Sequence, residues 1–381
     1  MRSRMHPRYY LSQDIFEREQ AKIFRKAWVF AGLAALVPEH NAFVTRKIAG
    51  IPVVIQNFCG ELRAFENICL HRSAPLQQGF RGSRPLVCAY HGWSYDSRGA
   101  IRSIPDEASL YRFTPEERQG LRLREFALKQ VGSLLFVNLD ADPMPFEDQF
   151  SQGFIDLLES SSNAYDTEVM VTTWHGRFNW KLIYENLRDF NHVKYLHGAS
   201  LAQYADFPLQ VNEVNVGRAG APLADLSTAA LRREMRGFSY GGPEGKIDAV
   251  RPVPWLDMVE RWGTQDAYFN WLAYPNLHIA CGNGGYSFTI EHHIPVAPDR
   301  TDLEVYFITA RKKKPYAFSH QVLLANMHYS KKIVGEDIAI LEAIQSVLHM
   351  DAPAPMQGAY ETTNQRIERW YVTLMESSHG L

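Results

Sequence analysis

The sequence contains Cys69-Leu70-His71 and then Cys88-Ala89-Tyr90-His91, with residues 72–87 between them. Each motif offers one thiolate and one imidazole. Thiolates are the usual ligands of iron–sulfur clusters, and neutral imidazole also binds iron. Two Cys on one iron and two His on the other form the ligand set of a Rieske [2Fe–2S] centre. The two motifs therefore predict such a centre, bound by the four side chains of Cys69, His71, Cys88 and His91.

A zinc site is the alternative interpretation, because zinc takes the same ligand types. Zinc fingers usually pair Cys with Cys and His with His, whereas each motif here contains one of each. Small or rigid residues follow both motifs, namely Ser73-Ala74-Pro75 and Gly92-Trp93. Such residues allow two loops to close over a cluster and to direct backbone N–H groups at its sulfurs. These features favour the iron–sulfur cluster.

The composition of the chain limits its class. Its 381 residues are enough for two or three domains, and its formal net charge of −2 gives no electrostatic basis for binding nucleic acid or an anionic membrane. The four Cys include the two in the motifs, so no disulfide framework is expected and the predicted compartment is the reducing cytoplasm. We find neither an apolar signal segment nor a run long enough to span a membrane.

The residues around the motifs predict a small β domain. Residues 1–40 are expected to form a helical segment that packs on a later domain, with Ser12 as the N-cap of a helix over residues 12–27. Short alternating stretches then run from Phe43 to about Val137, separated by turns such as Cys59-Gly60. Residues 41–142 are therefore predicted to form an antiparallel β domain with the cluster ligands in its loops.

A second group of candidate ligands lies between Asn179 and His197 and reads NWKLIYENLRDFNHVKYLH. His192 and His197 are five positions apart, which is about 140° on an ideal helix. The helix must therefore end or loosen between them if both are to bind one metal. Two His and one carboxylate with open coordination positions are the ligands of mononuclear non-haem Fe(II) oxygenases.

The two motifs together resemble the catalytic (alpha) subunit of the Rieske non-haem iron oxygenases of the aromatic-ring-hydroxylating type. The resemblance rests on C-x-H-x16-C-x-x-H, on Gly92-Trp93-Ser94-Tyr95 and on the D-x-x-H-x4-H that begins at Asp189, and it covers about residues 9–375. It implies an α+β fold. The small antiparallel Rieske domain would be followed by a catalytic domain, residues 143–381, in which an antiparallel sheet wraps around a long helix as in START or Bet v 1 folds.

The resemblance also implies an iron site. His192 and His197 would bind mononuclear Fe(II) together with Asp337 in a later helix, although spacing alone leaves the adjacent Glu336 open. The residues implied to lie near the iron and the substrate are Asn186, Leu187 and Phe190. His292 and His293 are neighbours on a predicted strand and point to opposite faces, so we interpret them as structural.

Asp189 matches the position of a bridging aspartate in the family. Its carboxylate would hydrogen-bond His192 and also His91 of a neighbouring subunit, which implies a head-to-tail homotrimer. The resemblance leaves open whether a small beta subunit is present. Residues 202–253 are rich in Gly and Pro and are predicted to form a mobile cover over the active site.

The predicted function is that of a terminal oxygenase component. It would use O₂ and electrons from NAD(P)H, delivered by a separate reductase with or without a ferredoxin, since the chain has no Gly-rich dinucleotide fingerprint. The main expectation is mono- or dioxygenation of an aromatic compound, above all an aromatic acid, as in aromatic hydrocarbon catabolism.

Two alternatives stand beside this expectation. One is oxidation or demethylation of a quaternary ammonium compound in an aromatic cage, although ordinary strand packing is the simpler explanation of the candidate residues, Trp255, Trp262, Trp271, Tyr268 and Tyr274. The other is a Rieske electron carrier that has a ligand-binding domain and no catalytic iron.

Overall fold

The computed structural model describes residues 2–203, 205–207, 227–247, 253–378 and 380–381. The chain forms two compact units, one of Phe24–Met144 and the other of Met1–Ile23 with Pro145–Leu381. The sequence placed the first boundary at residue 41. The structure starts the smaller unit earlier because strand β1 (Val29–Leu33) pairs with β9 (Leu134–Asn138), more than a hundred residues away.

The smaller unit is an antiparallel β structure. Its main sheet has seven strands in the order β1-β9-β8-β4-β3-β2-β5, and β6 and β7 form a separate hairpin. The remaining strands are β2 (Ala42–Ile48), β3 (Ile51–Phe58), β4 (Glu61–Glu66), β5 (Arg81–Ser83), β6 (Ser94–Tyr95), β7 (Ile101–Ser103) and β8 (Glu125–Val131). Two short helices, α3 (Glu107–Leu110) and α4 (Pro115–Gly120), precede β8.

The core of the smaller unit includes both candidate cysteine ligands. Cys69 and Cys88 are buried in one cluster with Phe65, Leu76 and Trp93, so the packing that stabilises the sheet also removes the two thiols from water. Burial raises the pKa of Cys69, which disfavours a free thiolate there in the absence of a metal.

The larger unit contains a second antiparallel sheet of seven strands, in the order β10-β16-β15-β14-β13-β12-β11. The strands are β10 (Tyr165–Gly176), β11 (Ala205–Asp206), β12 (Tyr240–Ile247), β13 (Ala267–Ala273), β14 (Leu277–Cys281), β15 (Ser287–Ala297) and β16 (Arg300–Ala310). The helices are α1 (Arg8–Leu11), α2 (Gln13–Glu19), α5 (Phe146–Gln149), α6 (Gln152–Asn163), α7 (Trp180–Leu187), α8 (Val193–Leu196), α9 (Thr228–Met235), α10 (Ser319–Val347) and α11 (Thr362–Glu376).

The long helix α10 packs on strands β10 and β16 and on helix α7. The predicted α+β fold, an antiparallel β domain followed by a sheet with a long helix against it, is confirmed. Among the described residues, none of the helices combines the length and the apolar character that a bilayer-spanning helix needs.

A buried ion pair fixes the start of α7. Glu19 of α2 is fully buried, and its Oε1 lies 2.5 Å from Lys181 Nζ. The same carboxylate accepts a hydrogen bond from Trp180 Nε1 at 2.8 Å and another from the Tyr371 hydroxyl of α11. Burial lowers the pKa of Lys181, and the pairing with Glu19 partly offsets this. The N-terminal and C-terminal helices are therefore held on the helix that leads into the second ligand motif.

Replacing Lys181 by Met should destabilise the larger unit, because it leaves the Glu19 carboxylate buried without its cation. Removing one partner of a buried pair costs about 3–5 kcal/mol. Urea unfolding followed by Trp fluorescence measures the change. The control is Arg177→Ala. The Arg177 guanidinium pairs with Glu342 but is largely exposed, so its removal should have a much smaller effect on stability. Equal effects of the two substitutions would contradict the assignment.

Candidate metal centres

The two cluster motifs adopt the same loop. In the first, the Cys69 N–H donates to the Ala74 carbonyl at 2.8 Å, and in the second the Cys88 N–H donates to the Trp93 carbonyl, also at 2.8 Å. In both loops the amide four residues after the Cys donates back to the Cys carbonyl at 3.0 Å. Each cysteine is thus placed at the base of a closed loop.

Both loops need a left-handed residue at the fifth position. Ser73 has φ of 56° and Gly92 has φ of 72°. A Cβ added at Gly92 would lie 2.9 Å from Pro105 Cγ, so glycine is required there for space as well as for conformation. The small residues noted after each motif in the sequence therefore have a structural cause.

The four side chains form a donor set that fits the predicted cluster. Both thiols are 2% exposed, and the His71 and His91 rings have centroids 4.5 Å apart. His71 Nδ1 is buried and has no hydrogen-bond partner among the described residues. An unpaired buried nitrogen is costly, and coordination to iron would remove that cost.

The two imidazoles have different surroundings. The His71 ring stacks on Trp93 with an interplanar angle of 6°, and its Nε2 lies 3.4 Å from the Tyr111 hydroxyl. His91 is exposed, and the ring of Tyr90, itself 59% exposed, lies beside it. Of the two predicted histidine ligands, His91 is therefore the more exposed to another molecule.

Tyr95 contacts one cysteine ligand directly. Its hydroxyl lies 3.2 Å from Cys69 Sγ and accepts a hydrogen bond from the Leu70 N–H at 3.0 Å. Burial raises the pKa of Tyr95, which keeps the phenol protonated. With the cluster bound, the sulfur would be a thiolate, which can only accept, so the O–H would donate to it. The sequence included Tyr95 in the motif but gave it no role.

Replacing Tyr95 by Phe should lower the reduction potential of the cluster, since a hydrogen bond to sulfur stabilises the more negative reduced state. A net loss of about 1 kcal/mol corresponds to about 40 mV for one electron. A redox titration followed by electron paramagnetic resonance measures it. The control is Ser94→Ala, which removes the neighbouring hydroxyl bonded to Ser103 and should leave the potential unchanged. An unchanged potential in the Phe variant would refute this role.

The helix of the second ligand motif is interrupted, as predicted. Helix α7 ends at Leu187, a 3-10 turn covers Phe190–His192, and α8 ends just before His197. This break brings the two imidazoles together, with ring centroids 5.2 Å apart.

Asp337 of α10 completes the group. Its Oδ1 lies 3.2 Å from His197 Nε2 and 3.6 Å from His192 Nε2. The ligand atoms of the three residues are all within 4.8 Å of one another. Asn186 Nδ2 donates to Asp337 Oδ1 at 2.8 Å and so holds the carboxylate in place. Two imidazoles and one carboxylate in this arrangement fit a ferrous ion with open positions.

Glu336 occupies a different place. Its Oε2 lies 2.7 Å from His197 Nδ1 and accepts a hydrogen bond from the Ser200 hydroxyl at 2.6 Å. A carboxylate on the far nitrogen of a ligand imidazole fixes the tautomer and the ring orientation. Spacing could not separate Glu336 from Asp337, whereas this geometry places Asp337 towards the metal position and Glu336 behind the imidazole.

Burial lowers the pKa of His192, which favours the neutral imidazole that binds metal. Burial acts in the same direction on His197, but its contacts with Asp337 and Glu336 outweigh it and raise the pKa overall. A metal ion bound between these groups would take the place of that proton.

Asp189 contacts His192 differently from the expectation. Its side chain accepts a hydrogen bond from the Asn191 N–H at 2.9 Å and caps the 3-10 turn, while His192 Nδ1 lies against the Asp189 backbone carbonyl. Within the chain, the imidazole is thus oriented by the Asp189 backbone and not by its carboxylate. The contact with His91 of a neighbouring subunit stays a prediction.

A cavity of about 410 Å³ lies beside the three candidate ligands. Asn186, Leu187 and Phe190, which the resemblance placed near the iron, all line it. Its described wall includes no Lys or Arg. About half of the predicted mobile cover, namely residues 204, 208–226 and 248–252, lies outside the described residues. In the other half the prediction of a loop is wrong for helix α9 and for strand β12, because β12 pairs with β13 in the catalytic sheet.

The aromatic residues considered for a cage divide into two groups. Trp255 and Tyr268 line the cavity, together with Tyr329, which the sequence did not single out. Trp271 of β13 packs with Trp262, which precedes this strand, with ring centroids 5.3 Å apart. Tyr274 follows β13 and packs against Trp370 of α11. Packing within the larger unit therefore explains Trp262, Trp271 and Tyr274.

His292 and His293 lie outside the metal group, in agreement with their interpretation as structural. His293 Nε2 is 3.3 Å from Glu291 Oε2, and His292 Nδ1 is 3.6 Å from Glu304 Oε2. Two residues that do line the cavity, Glu291 and His278, were not predicted from the sequence. No local motif marks them, because their pairing depends on strand register.

Replacing Asp337 by Asn should remove the mononuclear iron and leave the cluster intact, so that total iron falls from about three to about two per chain. Glu336→Gln is the matched control. It should keep the site and weaken iron binding by about 10- to 100-fold, as is usual for partners behind a ligand. Iron analysis at several Fe(II) concentrations, with the cluster absorbance recorded, measures both. The reverse order of effects would exchange the two roles.

Comparison with known families supports both centres. The model described as the Rieske [2Fe-2S] domain matches residues 27–116, and that described as the ring hydroxylating alpha subunit (catalytic domain) matches residues 161–377.

Curated relatives of the chain include oxygenase subunits of several kinds. It is 31% identical over 255 residues to the glycine betaine monooxygenase oxygenase subunit of Pseudomonas aeruginosa (strain UCBPP-PA14). The aligned region covers 65% of this chain and 57% of the relative. It is 25% identical over 359 residues to chloroplastic choline monooxygenase of Atriplex hortensis, covering 92% and 72%. It is 29% identical over 197 residues to the anthranilate 1,2-dioxygenase large subunit of Acinetobacter baylyi, covering 49% and 41%. The matched region spans about half the length of several of these relatives.

Solved structures show the same fold. The quaternary ammonium Rieske monooxygenase CntA bound to an inhibitor superposes with a TM-score of 0.72 at 17% identity, covering 98% of this chain and 95% of that one. Naphthalene 1,2-dioxygenase from Rhodococcus sp. bound to indole also gives 0.72, at 18% identity and the same coverage.

Proposed function

The chain belongs to the ring-hydroxylating alpha subunit family, and from this premise we propose that it is a terminal oxygenase component that acts on a quaternary ammonium compound. The match to the Rieske domain favours the iron–sulfur cluster over a zinc site. The match to the catalytic domain, with His192, His197 and Asp337 gathered beside a cavity, favours an oxygenase over an electron carrier.

The proposed substrate class rests on the charge of the cavity wall. An aromatic acid would bring a carboxylate into the cavity, where the described wall has no Lys or Arg to pair with it. It would instead meet the carboxylates of Glu291 and Asp337. Burying a charge without a partner is costly. The aromatic acid, which was the main expectation from the sequence, is therefore disfavoured relative to a cation.

The aromatic residues of the wall suit the same substrate. Trp255, Tyr268 and Tyr329 line the cavity, and a quaternary ammonium group is attracted to the faces of such rings. The relatives named for glycine betaine and choline support this class, while the relative named for anthranilate makes the aromatic class the competing result of the test.

The residues of the chain would divide the work between two centres. Cys69, Cys88, His71 and His91 would hold the cluster, and His192, His197 and Asp337 would hold the ferrous ion. When bound, these groups supply electrons and a place at which O₂ is activated. The chain fixes the ligand geometry and lines a cavity beside it with apolar side chains such as Leu187 and Val193.

Electrons would reach the catalytic unit through a second copy of the chain. The exposed His91 of one copy would meet Asp189 of another, and His192 is oriented by the Asp189 backbone. This arrangement requires a closed ring, for which a homotrimer is the proposed form, and a separate reductase that takes electrons from NAD(P)H. The structure of the carnitine-oxidising relative is described in terms of inter-subunit electron transfer.

The test is a substrate screen with the iron-loaded protein, a surrogate reductase and NADH. Choline, glycine betaine and carnitine form one panel, and benzoate and anthranilate form the other. We expect product formation in step with O₂ consumption for at least one quaternary ammonium compound and for neither aromatic acid. Product from an aromatic acid alone would overturn the proposed substrate class. The Asp337→Asn protein is the control, since it should keep the cluster and form no product.

A further inference from the structure

A polar stripe crosses four strands of the catalytic sheet on the cavity side. Glu291 of β15 is the register partner of His278 of β14, and His278 Nδ1 lies 3.0 Å from Glu291 Oε2. His278 Nε2 contacts Asn270 Oδ1 of β13, and Asn270 Nδ2 donates to Glu244 of β12 at 3.4 Å. His293, two positions beyond Glu291 on the same face, also reaches Glu291 Oε2. These side chains are built into the wall by cross-strand pairing.

The surroundings of the two carboxylates of the stripe favour the ionised form of Glu291 over that of Glu244. Burial tends to raise the pKa of Glu291, but its contacts with His278 and His293 outweigh this and hold the pKa well below its usual range. Glu244 differs, because burial raises its pKa to about 8 and the hydrogen bond from Asn270 only partly offsets this. Burial also lowers the pKa of His293, so this imidazole serves as a neutral donor.

One oxygen of Glu291 is left for a ligand. Both imidazoles contact Oε2, and no group among the described residues hydrogen-bonds Oε1. Glu291 lines the cavity, as do His278 and Asn270. Glu291 Oε1 is not among the buried atoms that lack a partner in the described residues, so it is accessible from the cavity to a cation or a donor. The cavity is the side from which a ligand would come.

Tyr268 and Glu291 line the same cavity as the candidate metal ligands His192, His197 and Asp337. Burial raises the pKa of Tyr268, and the charges of Glu291 and Asp337 act in the same direction. The Tyr268 ring also packs against the cluster formed by Phe190, Val193 and Leu201, which flanks His192 and His197 in the chain. A group held between Glu291 and the Tyr268 ring would therefore be close to the metal ligands.

From this arrangement we infer that Glu291 is the specificity-determining residue of the cavity and that its Oε1 side forms the counter-charge for the cationic head group of the substrate. The inference rests on the proposed function and deepens it. A quaternary nitrogen carries no N–H, so its recognition depends on charge and on ring faces rather than on hydrogen bonds. Glu291 supplies the charge, and Tyr268 supplies the ring.

The test compares choline with the neutral alcohol of the same shape in which carbon replaces the ammonium nitrogen. Binding of both to the full-length, iron-loaded protein is measured by calorimetry for the wild type and for Glu291→Gln, which keeps an acceptor oxygen for the two imidazoles. We expect the substitution to weaken choline binding by about tenfold or more and to change binding of the alcohol by less than about threefold.

Glu304→Gln is the matched control. Glu304 is a buried carboxylate on the adjacent strand β16, hydrogen-bonded by Tyr306 at 2.6 Å, and it is not among the described residues that line the cavity. Removing the Glu304 charge should leave the preference for choline over the alcohol unchanged. The cluster absorbance and the thermal midpoint report whether each variant is folded.

The outcomes separate the two proposals. If the wild type oxygenates a quaternary ammonium compound and Glu291→Gln keeps the wild-type preference, the inference fails and the proposed function stands. If the wild type binds no quaternary ammonium compound, both fail. If Glu291→Gln does not fold, Glu291→Asp is measured instead. The shorter Asp side chain keeps a negative charge beside the imidazoles and moves that charge away from the cavity. Weaker choline binding with unchanged alcohol binding then supports the inference, and unchanged binding of both overturns it.

Discussion

The approach of the Asp337 carboxylate to two imidazoles is the constraint on which the catalytic unit depends. The three ligands come from a 3-10 turn, from the end of α8 and from the middle of α10, and none of these pieces would place them together alone. Leaving such polar groups buried together without a cation is costly, so a bound metal would contribute to holding the segments in place. Glu19 and Lys181 hold the beginning of the same segment.

Local spacing in the sequence was sufficient to predict much of both centres. The two Cys-His motifs are short, and their loops close by local hydrogen bonds, so the ligands of the cluster could be proposed without knowledge of the sheet. The loosening between His192 and His197 followed from the geometry of a helix. Asp337 could not be separated from Glu336 in this way, because adjacent residues on a helix differ by rotation and only tertiary packing decides which of them faces the imidazoles.

Long-range pairing explains what the sequence did not show. Strand β1 belongs with the smaller unit because it pairs with β9, and no local pattern indicates a partner so far along the chain. The same reason hid Glu291 and His278, which meet through the register of β14 and β15. Strand β13 shows how the aromatic residues could have been sorted. Tyr268 and Asn270 share the cavity face, whereas Phe269 and Trp271 point to the other side and stack on each other.

The polar groups of the cavity wall also bear on the kind of substrate that fits. His278, Asn270 and Glu291 bond mainly to one another, so this part of the wall offers few donors to an incoming ligand. It is poorly suited to a group that must be oriented by several hydrogen bonds, because each would have to displace an existing one. It suits a group that needs only charge and contact. A quaternary ammonium head group has this property, since its methyl groups meet ring faces and its charge is spread over them. The polar stripe, in which Glu291 Oε1 is left for a ligand, is thus a further argument for a cation, separate from the lack of Lys and Arg on the described wall.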